Sequence, residues 1–341
     1  MLAANYDLSC ISRGRGRFAN RPYSYRKYRE KGMKTTHRAY SEEAGDFRRL
    51  CRFVIDNNES IRAYSTWCIG RLVDWKYGLW ENKTTVPDFR ERNAQLWFDS
   101  FERLAGFVIS EEGDSNFAII TLAGYRFLFA EMLQWALANW SERGPKFSLE
   151  ITTRQRMEAE TLERAGFQKQ ADFFRQTFDL TQELAPRAPL EAGFSIVDMA
   201  AHPDYRGQRI LRDDAFGGRS DVPEADLQRE MLFYGHSRQG PIYHPQTDLC
   251  VMAPDGQLVS GCEALLDAHN READIERVCT HSAFRQRGFA RAVIQECLYR
   301  LRDMGLRKAH IAGYSPEAIG LYASLGGGEK TTFYIYETAG Q

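Results

Sequence analysis

One block of this sequence occurs twice. Glu131–Ile151 (EMLQWALANWSERGPKFSLEI) and Ala292–Ala312 (AVIQECLYRLRDMGLRKAHIA) each read as an amphipathic helix, a glycine stop and a short strand. Thr161–Leu180 (TLERAGFQKQADFFRQTFDL) and Leu321–Thr338 (LYASLGGGEKTTFYIYET) each read as a helix end, a glycine turn and aromatic-rich strand text. Such a repeat constrains the fold more than any count of residues does, because each copy must build the same α/β unit. The 341 residues suit two domains of roughly 150 residues each. The seam is expected in Leu180–Gly193 (LTQELAPRAPLEAG), which has two prolines, small residues and no strong period. The expected divisions are 34–180, a linker at 181–193, and 194–341.

Composition narrows the class. With 43% hydrophobic residues, 27% charged and a net charge of −1, the chain is neither wholly disordered nor coated with positive charge for nucleic acid. No apolar run approaches the ~20 residues that span a bilayer. Seven cysteines lie scattered, never as C-x-x-C, so neither a zinc cage nor a disulfide framework is expected, and a reducing, cytoplasmic setting is. Residues 1–33 stand apart. Ser12–Lys34 (SRGRGRFANRPYSYRKYREKGMK) is rich in Arg, Gly and Tyr and has no apolar period. It reads as a disordered basic head, an organelle-targeting segment, or the product of a start codon placed before Met33, the preferred reading. In each case it stays outside the fold.

The second copy is the more informative. Strands are expected at Phe194–Met199, Asp248–Met252, Leu258–Leu266, Asp274–Thr280 and Lys308–Ala312, with helical text at Glu224–Tyr234 and from about Gly288 to Arg302. Val293, Ile294, Cys297, Leu298 and Leu301 make the buried stripe of that helix, and Gly305 stops it. Ser315-Pro316-Glu317 then supplies an N-cap, a proline at the first helical position and an acid in the first turn. Between strand and helix runs Arg285-Gln286-Arg287-Gly288-Phe289-Ala290-Arg291. Backbone N–H groups at a helix start have no intrahelical partner. Gly288 and the small Ala290 permit close approach, and arginines and the helix dipole add positive charge. Together they make a cradle for a pyrophosphate.

Here the sequence resembles the GNAT-type N-acetyltransferase superfamily, whose Arg/Gln-x-x-Gly-x-Gly/Ala segment follows its fourth strand. Arg285, Gly288 and Ala290 match that pattern, and Val278-Cys279-Thr280 matches the end of that strand. The family's Asn-x-x-Ala-x-x-Leu-Tyr-x-x-Leu-Gly-Phe is matched at Ala318, Leu321, Tyr322, Leu325 and Gly326, with Ser315 for Asn and Gly327 for Phe. The resemblance covers about 150 residues clearly and the first half in outline. It implies an α/β fold with a mixed sheet, in two tandem GNAT-like domains. It implies acetyl-CoA as co-substrate, no metal, and a small-molecule or peptide amine as acceptor. Coenzyme A contacts are expected from Val278, Cys279, Thr280, Arg285, Gln286, Arg287, Gly288, Phe289, Ala290, Arg291 and Ser315.

Amide formation sets the remaining requirements. An alkyl ammonium with a pKa near about 10 must lose a proton before it attacks, and the oxyanion that forms wants an N–H donor. The resemblance assigns the donor to backbone near Val278–Cys279 and the acid for the departing thiolate to Tyr322. Glu276 and Asp274 lie two apart on the strand leading to the cradle and share one face. Glu276 is the preferred base and Asp274 the next, with water or His281 behind. Pairing of these acids with arginines is the plain alternative. An acceptor pocket is sought in Phe233–Asp248 (FYGHSRQGPIYHPQTD), which reads equally well as a packed connection.

The first copy lacks these parts. Aligning the two helices on Gly144 and Gly305 sets Phe127 against Gly288 and Phe129 against Ala290; aligning on Gly166 and Gly326 sets Leu162 against Tyr322. This copy is expected to be non-catalytic and to shape the acceptor cleft of the other. Its Trp67, Trp75, Tyr77 and Trp80 read as core. The expected activity is acetyl-CoA-dependent N-acetyl transfer, with a non-catalytic acyl-CoA-binding or scaffold protein as the alternative.

Overall fold

The computed structural model describes residues 34–78, 82–219, 221–326 and 328–339. The basic head, Trp80 and Gly327 therefore lie outside the described residues. The strands are β1 (Thr36–Ala39), β2 (Ala94–Phe98), β3 (Leu104–Ile109), β4 (Ala118–Thr121), β5 (Ser148–Thr152), β6 (Phe167–Asp179), β7 (Ser195–Asp198), β8 (Asp248–Met252), β9 (Leu258–Asp267), β10 (Glu272–Thr280), β11 (Lys308–Gly313) and β12 (Gly328–Thr338). The helices are α1 (Asp46–Asp56), α2 (Asn58–Arg62), α3 (Ile69–Tyr77), α4 (Asn82–Thr85), α5 (Phe89–Asn93), α6 (Phe129–Asn139), α7 (Arg156–Arg164), α8 (Tyr205–Gly217), α9 (Glu224–Ser237), α10 (Phe289–Asp303) and α11 (Pro316–Ala323). The repeat is visible as β4-α6-β5-α7-β6 and β10-α10-β11-α11-β12.

The two copies trade strands. One sheet has the order β1-β2-β3-β4, the other β5-β12-β6-β11-β10-β9-β8-β7. Thus β6, which ends the first copy, pairs antiparallel with β11 of the second, and β12, which ends the second, pairs antiparallel with β5 of the first. The two exchanged strands lie side by side, from Gly328 opposite Phe178 to Thr338 opposite Phe167. Among the described residues one isolated parallel bridge, Asn116 to Ser148, links the two sheets. Residues 181–193 hold neither helix nor strand, so a seam in the sequence coexists with a sheet that runs across it.

Local signals explain the elements around the site. Ser315 caps α11 by accepting the Ala318 N–H at 3.2 Å, and Pro316 opens the helix. Gly305 takes a φ of 84° after α10, and the Leu306 N–H closes on the Leu301 carbonyl at 3.1 Å. That left-handed turn suits glycine alone without strain. Val293, Ile294, Cys297, Leu298 and Leu301 of α10 are buried against Val259, Ala273, Ile275 and Ile311. The opposite face of β9 and β10 meets α3 of the first copy, where a Cβ on Gly70 would stand 3.5 Å from both Leu265 and Asp274. Cover on both faces accounts for the near-continuous burial of β9, which in an antiparallel sheet usually alternates.

Trp67 and Trp75 are buried in the first copy's core, as the sequence suggests. No helix among the described residues is long and apolar enough to cross a membrane, and no group of potential metal ligands occurs among them.

Candidate active site

A notch opens where two strands part. The parallel ladder between β10 and β11 runs only from Glu272–Lys308 to Asp274–His310, although both strands continue. On its other side β10 stays paired with β9 through a bulge between Glu276 and Cys279. Arg277 sits in that bulge at a φ of 53°. Its guanidinium is clamped between Asp74 of α3 and Glu263, the latter at 2.5 Å, and this grip holds a conformation arginine rarely adopts. Beyond the bulge Ser260 Oγ donates to the Cys279 carbonyl at 2.8 Å and bonds Thr280 Oγ1 at 2.9 Å. Val278 is half-buried. Burial pushes the Cys279 thiol up to about 11, so it stays protonated.

The loop after β10 leads to the start of α10. His281 Nδ1 accepts the Ala283 N–H at 3.2 Å, capping the turn Ser282–Phe284, and stands 3.7 Å from Asp214. It serves the loop and is not turned to the cavity described below. Gln286 and Gly288 take φ values of 63° and 80°. The N–H groups of Phe289, Ala290 and Arg291 find no acceptor among the described residues, the first intrahelical bond being Ala292 N–H to Gly288 C=O at 3.0 Å. The arginines are less free than the sequence suggests. Arg287 is paired with Glu191 and stacked near Phe194, Phe284 and Phe289. Arg291 donates to the Ser324 carbonyl at 3.0 Å and its hydroxyl at 2.7 Å. Arg285 makes only long contacts, 3.5 Å each, to the Thr280 and Ala215 carbonyls. The segment expected to form the cradle therefore offers open backbone N–H groups, with Arg285 as its loosest side chain.

In the first copy the corresponding segment is a 3₁₀ turn, Ala123–Leu128, that runs straight into α6. Phe129 is buried at the helix start, and Leu162 is fully buried. Strand β4 pairs with β3 in continuous register, without a bulge.

A cavity of about 210 Å³ opens beside the notch. Thr66, Arg71, Asp74, Glu111 and Arg175 line it from the first copy; Asp274, Glu276, His310, Ala312 and Tyr314 line it from the second. Asp274, the second candidate base, is not available for proton transfer near neutrality. Arg62 of α2 grips it with two bonds of 2.9 Å. Burial alone would raise this carboxyl, but the Arg62 charge and hydrogen bonds outweigh it and hold it far below the carboxylate range. Glu272 is likewise held at about 2, where the hydrogen bond from His310 and the Arg62 charge outweigh burial. His310 is pushed down to about 4 by burial and by Arg62, so it is neutral.

Glu276 is different. It has no hydrogen-bond or ion-pair partner among the described residues. Its side chain is solvent-exposed and lines the cavity. The enclosing protein and the neighbouring charges of Asp274 and Asp74 raise it to about 8. Tyr314, half-exposed in the cavity, stacks on Phe173 at 4.3 Å and accepts from Arg71 at 3.3 Å. Tyr322 is buried, its ring 3.0 Å from where a Cβ on Gly313 would stand. Its hydroxyl has no partner among the described residues and titrates well above the usual range, through burial first and the charge of Glu276 second.

The segment Phe233–Asp248 does not line this cavity. Its residues pack elsewhere, with Tyr234 buried and Tyr243 hydrogen-bonded to Asp248 at 3.0 Å. Sequence reasoning missed Arg71, Asp74, Glu111, Arg175 and Tyr314. The one signal was Arg175 itself, an arginine two residues from Phe173 on the same face of aromatic-rich strand text.

Residues 217–326 match the family model described as Acetyltransferase (GNAT) family. No curated protein matches the chain. Among solved structures the chain is similar to a GCN5-related N-acetyltransferase from Sphaerobacter thermophilus, at 16% identity over 89% of this chain and 95% of that one, with a TM-score of 0.59. It is also similar to a tandem GNAT protein from the clavulanic acid biosynthesis pathway (13% identity, 89% and 98% covered, TM-score 0.56) and to a GNAT-family acetyltransferase from Colwellia psychrerythraea (16%, 89% and 98%, 0.53). Residues 217–326 thus form a GNAT-family acetyltransferase segment, and the chain as a whole has the fold of two GNAT-like copies in tandem.

Proposed function

We propose that the chain transfers an acetyl group from acetyl-CoA to a primary amine by direct attack in a ternary complex. Residues 194–341 are the catalytic copy and 34–180 the degenerate one. The observation that carries this reading is the Glu276 carboxyl, without a partner among the described residues, at the bulge where β10 leaves β11 and next to the open N–H groups that start α10. The residues present fit the donor: free N–H groups at Phe289, Ala290 and Arg291 suit a pyrophosphate, and the parted strands leave backbone groups of β10 for the pantetheine arm. Acetyl-CoA supplies the acyl group as a thioester.

The chain's own residues manage the protons. Glu276 Oε takes the proton that the amine must lose, being basic enough to do so and weak enough to return it. Tyr322 Oη holds the proton that the sulfur side requires. As the C–N bond forms and the C–S bond breaks, one proton leaves nitrogen and one reaches sulfur. Backbone N–H near Val278–Cys279 faces the charge that develops on oxygen. The test is incubation with acetyl-CoA and a panel of amines, reading CoA release and acetylated product by mass spectrometry. A scaffold protein binds CoA and releases none.

A further inference from the structure

After internal pairing, one cation and one acid in the cavity wall remain unmatched. Asp74 is paired with Arg277, Glu111 with Arg71 at 2.7 Å and Asp274 with Arg62. Arg175 and Glu276 have no ion-pair partner among the described residues, and they are not paired with each other. Arg175 is 6% exposed. It spends two N–H contacts on main-chain carbonyls, those of Ser65 at 3.0 Å and Arg62 at 2.5 Å, and its Nε has no acceptor. A guanidinium so deeply placed without an anion is costly. Burial, and then the charge of Arg62, lowers it to about 10.

The sheet explains why the two groups flank one space. Arg175 of β6 stands opposite Ala312 of β11. Glu276 lies two residues beyond Asp274, whose partner His310 lies two before Ala312. The arginine and the acid thus project from strands on either side of β11, at least two strand spacings or about 10 Å apart at the backbone because β10 parts from β11 beyond Asp274, and both line the same cavity. Their long side chains leave room for a small molecule between them. A volume of about 210 Å³ is below the usual range for drug-sized ligands.

We infer that the acceptor is a small zwitterion, an amine that also carries a carboxylate, held with its nitrogen at Glu276 and its carboxylate toward Arg175. This rests on the proposed acetyl transfer and narrows its acceptor class. The carboxylate supplies the anion that Arg175 lacks, and the guanidinium–carboxylate pair fixes the nitrogen against the base.

The experiment compares the common L-amino acids with their carboxamides. An amide keeps the amine and removes the charge; its less basic nitrogen is, recognition aside, the readier nucleophile. Initial rates should favour at least one amino acid over its carboxamide by 100-fold or more in kcat/KM, mostly through KM. In Arg175→Met that preference, the ratio of the two kcat/KM values, should fall at least tenfold whatever change the two substrates share. A melting curve checks that the variant folds, and the wild-type comparison stands without it. Acetylation of carboxamides or simple amines as well as, or better than, every amino acid would overturn the inference while leaving acetyl transfer intact. Absence of acetylation with any amine would sink the proposed function; calorimetric titration with the same amino acids and carboxamides then decides on binding alone, equal or absent binding of the amino acids overturning the inference.

Discussion

Glu276 and Asp274 are two residues apart on one strand and share a face, yet their chemistry diverges because Arg62 reaches only Asp274. The acid left alone rises to about 8. Activity should follow. In kcat/KM, which reports the free enzyme, the rate should climb as pH rises through about 8, and Glu276→Gln should lose that limb together with most of its turnover. A limb of unchanged position in the Gln variant would assign it to the amine. Tyr322 makes a second test at this scale. Tyr322→Phe keeps the ring beside Gly313 and removes a hydroxyl that has no partner among the described residues, so stability should move by less than the ~1 kcal/mol of a typical hydrogen bond. Turnover should drop by about 10²–10⁴, with CoA affinity nearly unchanged. Near-normal kcat in a well-folded Phe variant would leave water as the proton source.

At the scale of elements, α10 shows how one helix can serve core and site together. Its stripe packs on the sheet, while its first turn leaves N–H groups without acceptors. Gly288 stands at that junction at a φ of 80°, and nothing lies within 4 Å of the Cβ it lacks. Any side chain there is strained by about 1 kcal/mol through its backbone, and a large one also stands in the path of a ligand. Gly288→Trp should therefore weaken CoA binding by well over tenfold in calorimetry. Gly305, at the far end of the helix, has a φ of 84° and equally open surroundings. Gly305→Ala should lose similar stability and bind CoA normally. If both variants bind alike, the cradle lies elsewhere.

Across the whole molecule the copies are unequal partners in one sheet. The second carries the bulge, the parted strands and the free N–H groups; in the first, a 3₁₀ turn and the buried Phe129 fill the corresponding place. A titration should saturate at one CoA per chain, and two equivalent sites would contradict the reading of the first copy. The first copy still contributes to the site. It presents Arg71, Asp74 and Glu111 to the cavity, sends Arg62 to Asp274 across 212 residues of sequence, and lends β6, with Arg175, to the other copy's sheet.

Local and periodic features were legible without a structure. The repeat, the three-strand meander from Asp248 to Thr280, the buried stripe of α10, the Ser315 cap and the open N–H groups at the start of α10 each depend on residues a few positions apart, where propensity and spacing act directly. Three matters were decided only by tertiary structure. Strand exchange depends on pairings between segments far apart in sequence, from Asp179 with Lys308 to Ser148 with Glu337, and nothing in either strand's alternation names its neighbour. The protonation of Asp274 and Glu276 depends on which acid a distant arginine reaches. The wall of the cavity opposite Glu276 comes from the first copy and not from Phe233–Asp248, because burial of β9 and β10 on both faces brings α3 against them. In each case long-range packing determines which charges meet, and a charge takes its chemistry from what it meets.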